Sequence, residues 1–137
     1  MPAIIFFYGG GWIKGNREQF RPHASYLAHK GIVAILADYR TKEQYNATPF
    51  NCVEDAKSVI RFVKNNADKF NIDTTKIVAA GGSAGGHLAA SCAYISNYNH
   101  PKDDLSISPR PTALVLFNPV IDNGKNGFGS DTIKKTI

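Results

Sequence analysis

An α/β fold, with a mainly parallel sheet and helices on both faces, is what this sequence predicts, on three observations. Four short apolar runs recur along it, none alternates polar with apolar residues, and the segments between them read as helices. Continuous runs rich in Ile and Val are what strands buried on both faces look like, because neither face meets water.

The runs are Ala3–Tyr8, Ile32–Ala37, Lys76–Ala80 and Thr112–Phe117. After the first comes a short helix near residues 22–30, where Pro22 suits the first turn and Gly31 the C-terminal cap. The clearest helix spans about residues 50–69. Val53, Ala56, Ile60, Val63, Ala67 and Phe70 recur every three or four positions there, with Glu54, Lys57, Arg61 and Lys64 between them. That spacing predicts an amphipathic helix laid on a sheet. A third helix begins near Ser83 and runs to about Asn97. The resulting order is β-α-β-α-β-α-β. Crossovers of this length join parallel strands and turn right-handed, which places helices on both faces.

At 137 residues, 43% hydrophobic and 20% charged, the chain is one domain's worth of length with enough apolar surface for a core. Those counts exclude a disordered, collagen-like or disulfide-stapled chain. The net charge of +5 would permit salt-sensitive attraction to polyanions. The bases are scattered, however, Lys134-Lys135 being the densest cluster, and no RNA or DNA module is present; no nucleic-acid partner is expected. Ala3–Tyr8 is far short of a membrane span and lacks the basic leader and cleavage site of a signal peptide. Cys52 and Cys92 fall in different helices and do not decide the redox compartment. Asn46-Ala47-Thr48 matches the glycosylation pattern and is read as chance.

Chemistry concentrates in Lys76-Ile-Val-Ala-Ala-Gly-Gly-Ser-Ala-Gly-Gly-His87, which holds Gly81-x-Ser83-x-Gly85 between a buried strand and a helix. This is the nucleophile-elbow pattern in the context it requires. A serine on such a turn is held in a strained conformation with its hydroxyl raised into a cleft. The flanking glycines are needed because a Cβ there would collide with the neighbouring strand or helix, and the helix N-terminus favours developing negative charge. A second element, Tyr8-Gly9-Gly10-Gly11-Trp12, follows the first strand at its C-terminal end, where open parallel sheets bind ligands. Consecutive glycines let backbone N–H groups approach a substrate oxygen, so an oxyanion hole is expected with donors at Gly10, Gly11 and Ala84. A phosphate loop competes weakly. Gly10-x-x-x-x-Gly15 is followed by Asn16-Arg17 rather than Lys-Ser/Thr, and Lys14 stands where a dinucleotide loop needs its third glycine.

Paired, Phe6–Trp12 and Gly81–Ala89 resemble the α/β-hydrolase superfamily, and within it esterases of the hormone-sensitive-lipase and acetyl-esterase type. Asp38-Tyr39-Arg40, Asn71–Ile77 and Asn118-Pro-Val-Ile-Asp122 carry the same resemblance, which covers nearly the whole chain. It implies a partial α/β-hydrolase fold in which Ser83 attacks an ester carbonyl. Short acyl esters are favoured, with acetyl groups on sugars among them, so the expected partner is a small-molecule or carbohydrate ester. Neither metal nor organic cofactor is implied. A peptidase of the same superfamily and a non-catalytic binding domain are the alternatives. One departure is Tyr8, where relatives usually carry His. The backbone donors survive it, but the hydrogen bonds with which His shapes the loop do not carry over.

A serine needs a base, and the resemblance implies an Asp or Glu and then a His later in the chain. Of the four histidines, His87 stands one helical turn beyond Ser83 and is expected to pack or cap. His23 and His29 fall on the early helix and His100 in a Pro-flanked loop, all expected at the surface. Asp122 is the acid at a strand end after the serine, but it reads as a turn-former beside Asn123-Gly124. Asp38 is expected to pair with a base such as Arg40, and Asp55 and Asp73 read as helix-face and turn residues. The tail from Asn118 is glycine-rich and not expected to close a core, which leaves the last strand as an uncovered parallel edge. Residues 1–137 are therefore expected to form a single partial domain of about four strands, with the acid and His supplied by strands outside it. Alone it is expected to be inactive.

Overall fold

The computed structural model describes residues 1–131; Lys134 and Lys135 lie outside the described residues. Its four strands are β1 (Ala3–Phe7), β2 (Val33–Ala37), β3 (Ile77–Gly82) and β4 (Ala113–Phe117), all parallel in the order β2-β1-β3-β4. β1 lies in the interior, every one of its residues buried. Each apolar run thus became a strand, and the sheet is flanked on both faces. Ile4, Phe6 and Ala80 pack with Phe20 and Ala24 on one side, while Ile5, Phe7 and Ile77 pack with Val53, Ile60 and Leu88 on the other. A fully buried aliphatic or aromatic side chain of this kind contributes about 1.5–3 kcal/mol.

The helices are α1 (Arg21–His29), α2 (Lys42–Tyr45), α3 (Pro49–Asn65) and α4 (Ala84–Tyr94), with a 3-10 turn at Arg17–Phe20 ahead of α1. Gly31 follows α1 at φ +81°, the left-handed geometry expected of its cap. α3 opens on a capping box. The Thr48 hydroxyl accepts from Asn51 N–H and the Asn51 side chain accepts from Thr48 N–H, with Pro49 at the first helical position. It closes at Asn65 rather than near residue 69. The Asn66 side chain donates to the Phe62 carbonyl at 2.8 Å and Asn71 turns left-handed at φ +53°, so local bonds compete with the helix.

α4 likewise ends at Tyr94, three residues early. The irregular segment that follows explains a second difference. Lys57 and Arg61, on the polar side of α3, are 0% and 6% exposed. Arg61 donates to the Ile107 carbonyl at 2.9 Å, Asp103 at 2.9 Å and Asn99 at 2.8 Å, and Lys57 donates to the Asn97 carbonyl. The loop covers the face that periodicity would leave in water and supplies oxygens for its cations. Burial holds the Lys57 ammonium below its usual range. Cys52 and Cys92 are free, buried thiols, and burial pushes both up to about 12, which keeps them protonated.

β2 and β4 form the two edges of the described sheet, and β4 shows Val115 and Phe117 at 40% and 41% exposure. The tail adds more to the core than expected, since Val120 is buried against it. No helix among the described residues is long and apolar enough to cross a membrane.

Candidate active site

β3 and α4 meet at Ser83, which has φ +52° and ψ −117°. A side chain rarely holds a positive φ without compensation from its surroundings. Here the backbone is gripped on both sides. Ser83 N–H donates to the Phe117 carbonyl at 2.9 Å, and its carbonyl accepts from His87 N–H at 3.1 Å and Val120 N–H at 3.2 Å. The turn is closed so tightly that a Cβ at Gly81 would stand 2.3 Å from the Gly85 carbonyl oxygen, and one at Gly85 would stand 2.0 Å from that of Phe7. Among the described residues, the Ser83 hydroxyl takes no hydrogen-bond partner. Ser83 lines two clefts. One, of about 590 Å³, is walled by Gly9, Gly10, Gln19, Phe20, His23 and Phe117. The other, of about 500 Å³, is walled by Pro119, Val120, Asp122 and Phe128.

The glycine loop lies directly against this serine, as the sequence led one to expect. A Cβ at Gly9 would come within 3.3 Å of the Ser83 Cβ. Gly10 and Gly11 adopt φ +148° and +65°, and the Gly10 carbonyl is turned inward, accepting from Ile13 and Lys14 N–H at 3.1 and 3.2 Å. Among the described residues, the N–H groups of Gly10, Gly11 and Ala84 have no acceptor, and Ala84 is the first residue of α4. Unpaired N–H groups at a helix start and on an adjacent glycine turn suit a concentrated negative charge.

Two supports of this loop escaped sequence reasoning. Gln19, in the 3-10 turn, accepts from Gly9 N–H at 2.8 Å. Tyr8 and Tyr39 stack at 4.3 Å between ring centroids, the hydroxyl of each donating to the other's backbone carbonyl. Neither partnership leaves a local pattern. Tyr8 therefore has a hydrogen-bonding role at the base of the loop.

The histidines behave unevenly. His87 packs edge-on against Trp12 at 5.2 Å. Its Nδ1 and Trp12 Nε1 are buried without partners among the described residues. Burial lowers the His87 imidazole below its ordinary 6.5. Below pH 6.5 the unfolded chain therefore binds a proton that the folded chain resists, and stability falls as the pH drops from there. Urea midpoints at pH 7.5 and 5.5 should separate more in the wild type than in His87→Phe; equal separations would show that burial of this ring carries no pH cost. His23 remains exposed, as expected, but it leans on Phe20 and Phe117 along the wall of the larger cleft. His29 hydrogen-bonds the Ser25 carbonyl and His100 accepts from Lys102 N–H. No histidine ring hydrogen-bonds the Ser83 hydroxyl among the described residues; His87 meets Ser83 through its backbone N–H.

Among the acids, Asp122 accepts from Gly124 N–H at 2.7 Å in a turn, as expected. The Asp38 expectation is corrected. Asp38 pairs with Arg17 at 2.5 Å, whereas Arg40 forks onto Asp55 and reaches Glu54 at 3.1 Å. The chain leaving β2 turns Arg40 toward α3, where Asp55, on the helix face as expected, anchors it. Asp73 caps a turn through Thr75. Among the described residues, no group of three His, Cys, Asp or Glu could hold a metal ion.

The chain is similar to known proteins over most of its length. The BD-FAE family model matches residues 1–124. Esterase LipC of Mycobacterium tuberculosis is 37% identical over 97 residues, 70% of this chain and 24% of that protein. Endo-1,4-beta-xylanase B of Butyrivibrio fibrisolvens is 32% identical over 129 residues, 90% of this chain and 20% of that protein. Among solved structures, Thermogutta terrifontis esterase 2 phosphonylated by sarin is 46% identical with a TM-score of 0.89, over 91% of this chain and 45% of that one. The chain thus spans a quarter or less of these two curated relatives and about half of the solved esterase.

Proposed function

The chain belongs to the BD-FAE family, and from that premise we propose that it forms the nucleophile-bearing part of a serine carboxylesterase. Ser83 Oγ attacks the ester carbonyl carbon and gives up its proton to a base. The carbonyl electrons move onto oxygen, where the N–H groups of Gly10, Gly11 and Ala84 receive the charge. Collapse of this intermediate expels the alcohol, which takes the proton from the base. Water then hydrolyses the acyl-serine by the same steps.

The observation that carries this reading is the Ser83 hydroxyl, without a partner among the described residues, on a left-handed turn with the glycine loop and its free Gly10 and Gly11 N–H groups packed against it. The relatives named as esterases, one of them phosphonylated by sarin, support the same chemistry. The acid and base come from further strands of the fold, beyond the four described. In support, β4 is an edge whose Val115 and Phe117 stay exposed, and among the described residues no histidine ring hydrogen-bonds the Ser83 hydroxyl. The substrates are short acyl esters, acetyl groups on carbohydrates included. In favour of a polar alcohol, a third cleft of about 550 Å³ adjoins the larger one at Gly15 and is walled by Asn16, Asp38, Gln44 and Tyr45.

A serine-directed fluorophosphonate tests the assignment. In the longer protein it should label Ser83, located by peptide mapping; a label on another residue would overturn the reading. The 137-residue chain by itself should hydrolyse p-nitrophenyl acetate barely above background. Turnover in it that disappears in Ser83→Ala would show that the base already lies within the chain.

A further inference from the structure

We infer that Tyr8 and Tyr39 are positioning residues for the oxyanion donors, a role that rests on the reading of Ser83 and the glycine loop given above. The need for such a device follows from the loop itself. Gly9, Gly10 and Gly11 have no side chains to pack, and two of them adopt φ values that keep alternative conformations close in energy. Something outside the loop must hold its amides in place, because donors act at full strength only when their orientation is set before charge develops.

The tyrosine pair meets that need from three directions. Tyr8 is the residue on which the loop begins, and it is fixed across the sheet. Its hydroxyl donates to the Tyr39 carbonyl at 3.2 Å, and the Tyr39 hydroxyl donates to the Tyr8 carbonyl at 2.7 Å. The loop's far end returns to the same ring. A Cβ at Gly15 would stand 2.9 Å from Tyr8 Cδ2 and 2.6 Å from the Gly9 carbonyl oxygen, so both ends meet over Tyr8. Finally, the Tyr8 carbonyl borders the first turn of α4, where a Cβ at Gly85 would come within 2.5 Å of it. One clasp therefore touches the loop's start, its end and the helix turn that carries the Ala84 N–H. Both rings are 2–4% exposed, and burial raises both phenols, so each stays protonated as a donor.

Tyr8→Phe and Tyr39→Phe each keep the stack and remove one hydrogen bond. Both should be made in the longer protein beside Ser83→Ala, and assayed well below every variant's unfolding midpoint. A displaced donor is felt in the transition state, where charge has developed, and less in substrate binding. The expected result is a fall in kcat of about ten- to a hundredfold, with KM within about twofold, and fluorophosphonate labelling slowed in parallel. Unchanged kcat in both Phe variants, or a loss confined to KM or to the unfolding midpoint, would overturn the positioning role. Inactive Ser83→Ala beside fully active Phe variants would reject the clasp alone. Undiminished Ser83→Ala would reject the reading of the site and the clasp with it.

Discussion

Replacing Ser83 with alanine in the longer protein is expected to lower kcat for p-nitrophenyl acetate on the order of 10⁶-fold, the scale reached when a catalytic serine is deleted from an intact triad. The variant should fold normally. Ser83 is held by its backbone, through Phe117, Val120 and His87, and its hydroxyl takes no partner among the described residues. Removing it therefore breaks no internal hydrogen bond. At φ +52° alanine is strained about as serine is, so the midpoint of unfolding should move little. A variant that loses activity and keeps its unfolding midpoint separates chemistry from structure. Residual activity within tenfold of wild type would mean that another group attacks the ester.

Gly85→Ala should do the reverse and act on the fold. The added methyl would stand 2.0 Å from the Phe7 carbonyl oxygen and 2.5 Å from that of Tyr8. Phe7 ends β1, an interior strand hydrogen-bonded to β2 on one side and β3 on the other, and Tyr8 follows it with its carbonyl held by the Tyr39 hydroxyl, so neither can retreat. Overpacking against fixed backbone belongs among the rare single changes that cost about 4–5 kcal/mol, which approaches the whole stability of many domains. Gly82→Ala is the built-in comparison. Its methyl would meet the Phe20 ring tip at 3.3 Å, a side chain able to move, and should cost about 1 kcal/mol. Urea unfolding of both variants measures the difference; a Gly85→Ala midpoint close to that of Gly82→Ala would show that the elbow is looser than its geometry says.

The α/β class, the four strands and the elbow were legible in the sequence because each is written locally. Ile5 and Phe7 sit in an unbroken apolar run, Val53, Ile60 and Val63 keep a helical period, and Gly81 and Gly85 flank Ser83 at fixed offsets. The juxtaposition of the glycine loop with the serine was also anticipated, since both follow strands that end on one side of a parallel sheet. Helix ends were less legible. Asn66 and Asn71 end α3 through their own side chain and backbone, while the apolar period runs on to Ala67 and Phe70.

By itself the sequence determined which segments are strands and helices and which serine and glycines share a turn, because periodicity and spacing act within a few residues. Only the tertiary structure decided who partners whom: Tyr8 with Tyr39, Gln19 with Gly9, Arg17 with Asp38, Arg40 with Asp55, and Lys57 and Arg61 with a loop some forty residues away. Those choices follow from the strand order β2-β1-β3-β4 and from where irregular loops leave their carbonyls. Neither imprints a period on the chain, so the contacts that hold the site in shape become visible only once the sheet has assembled.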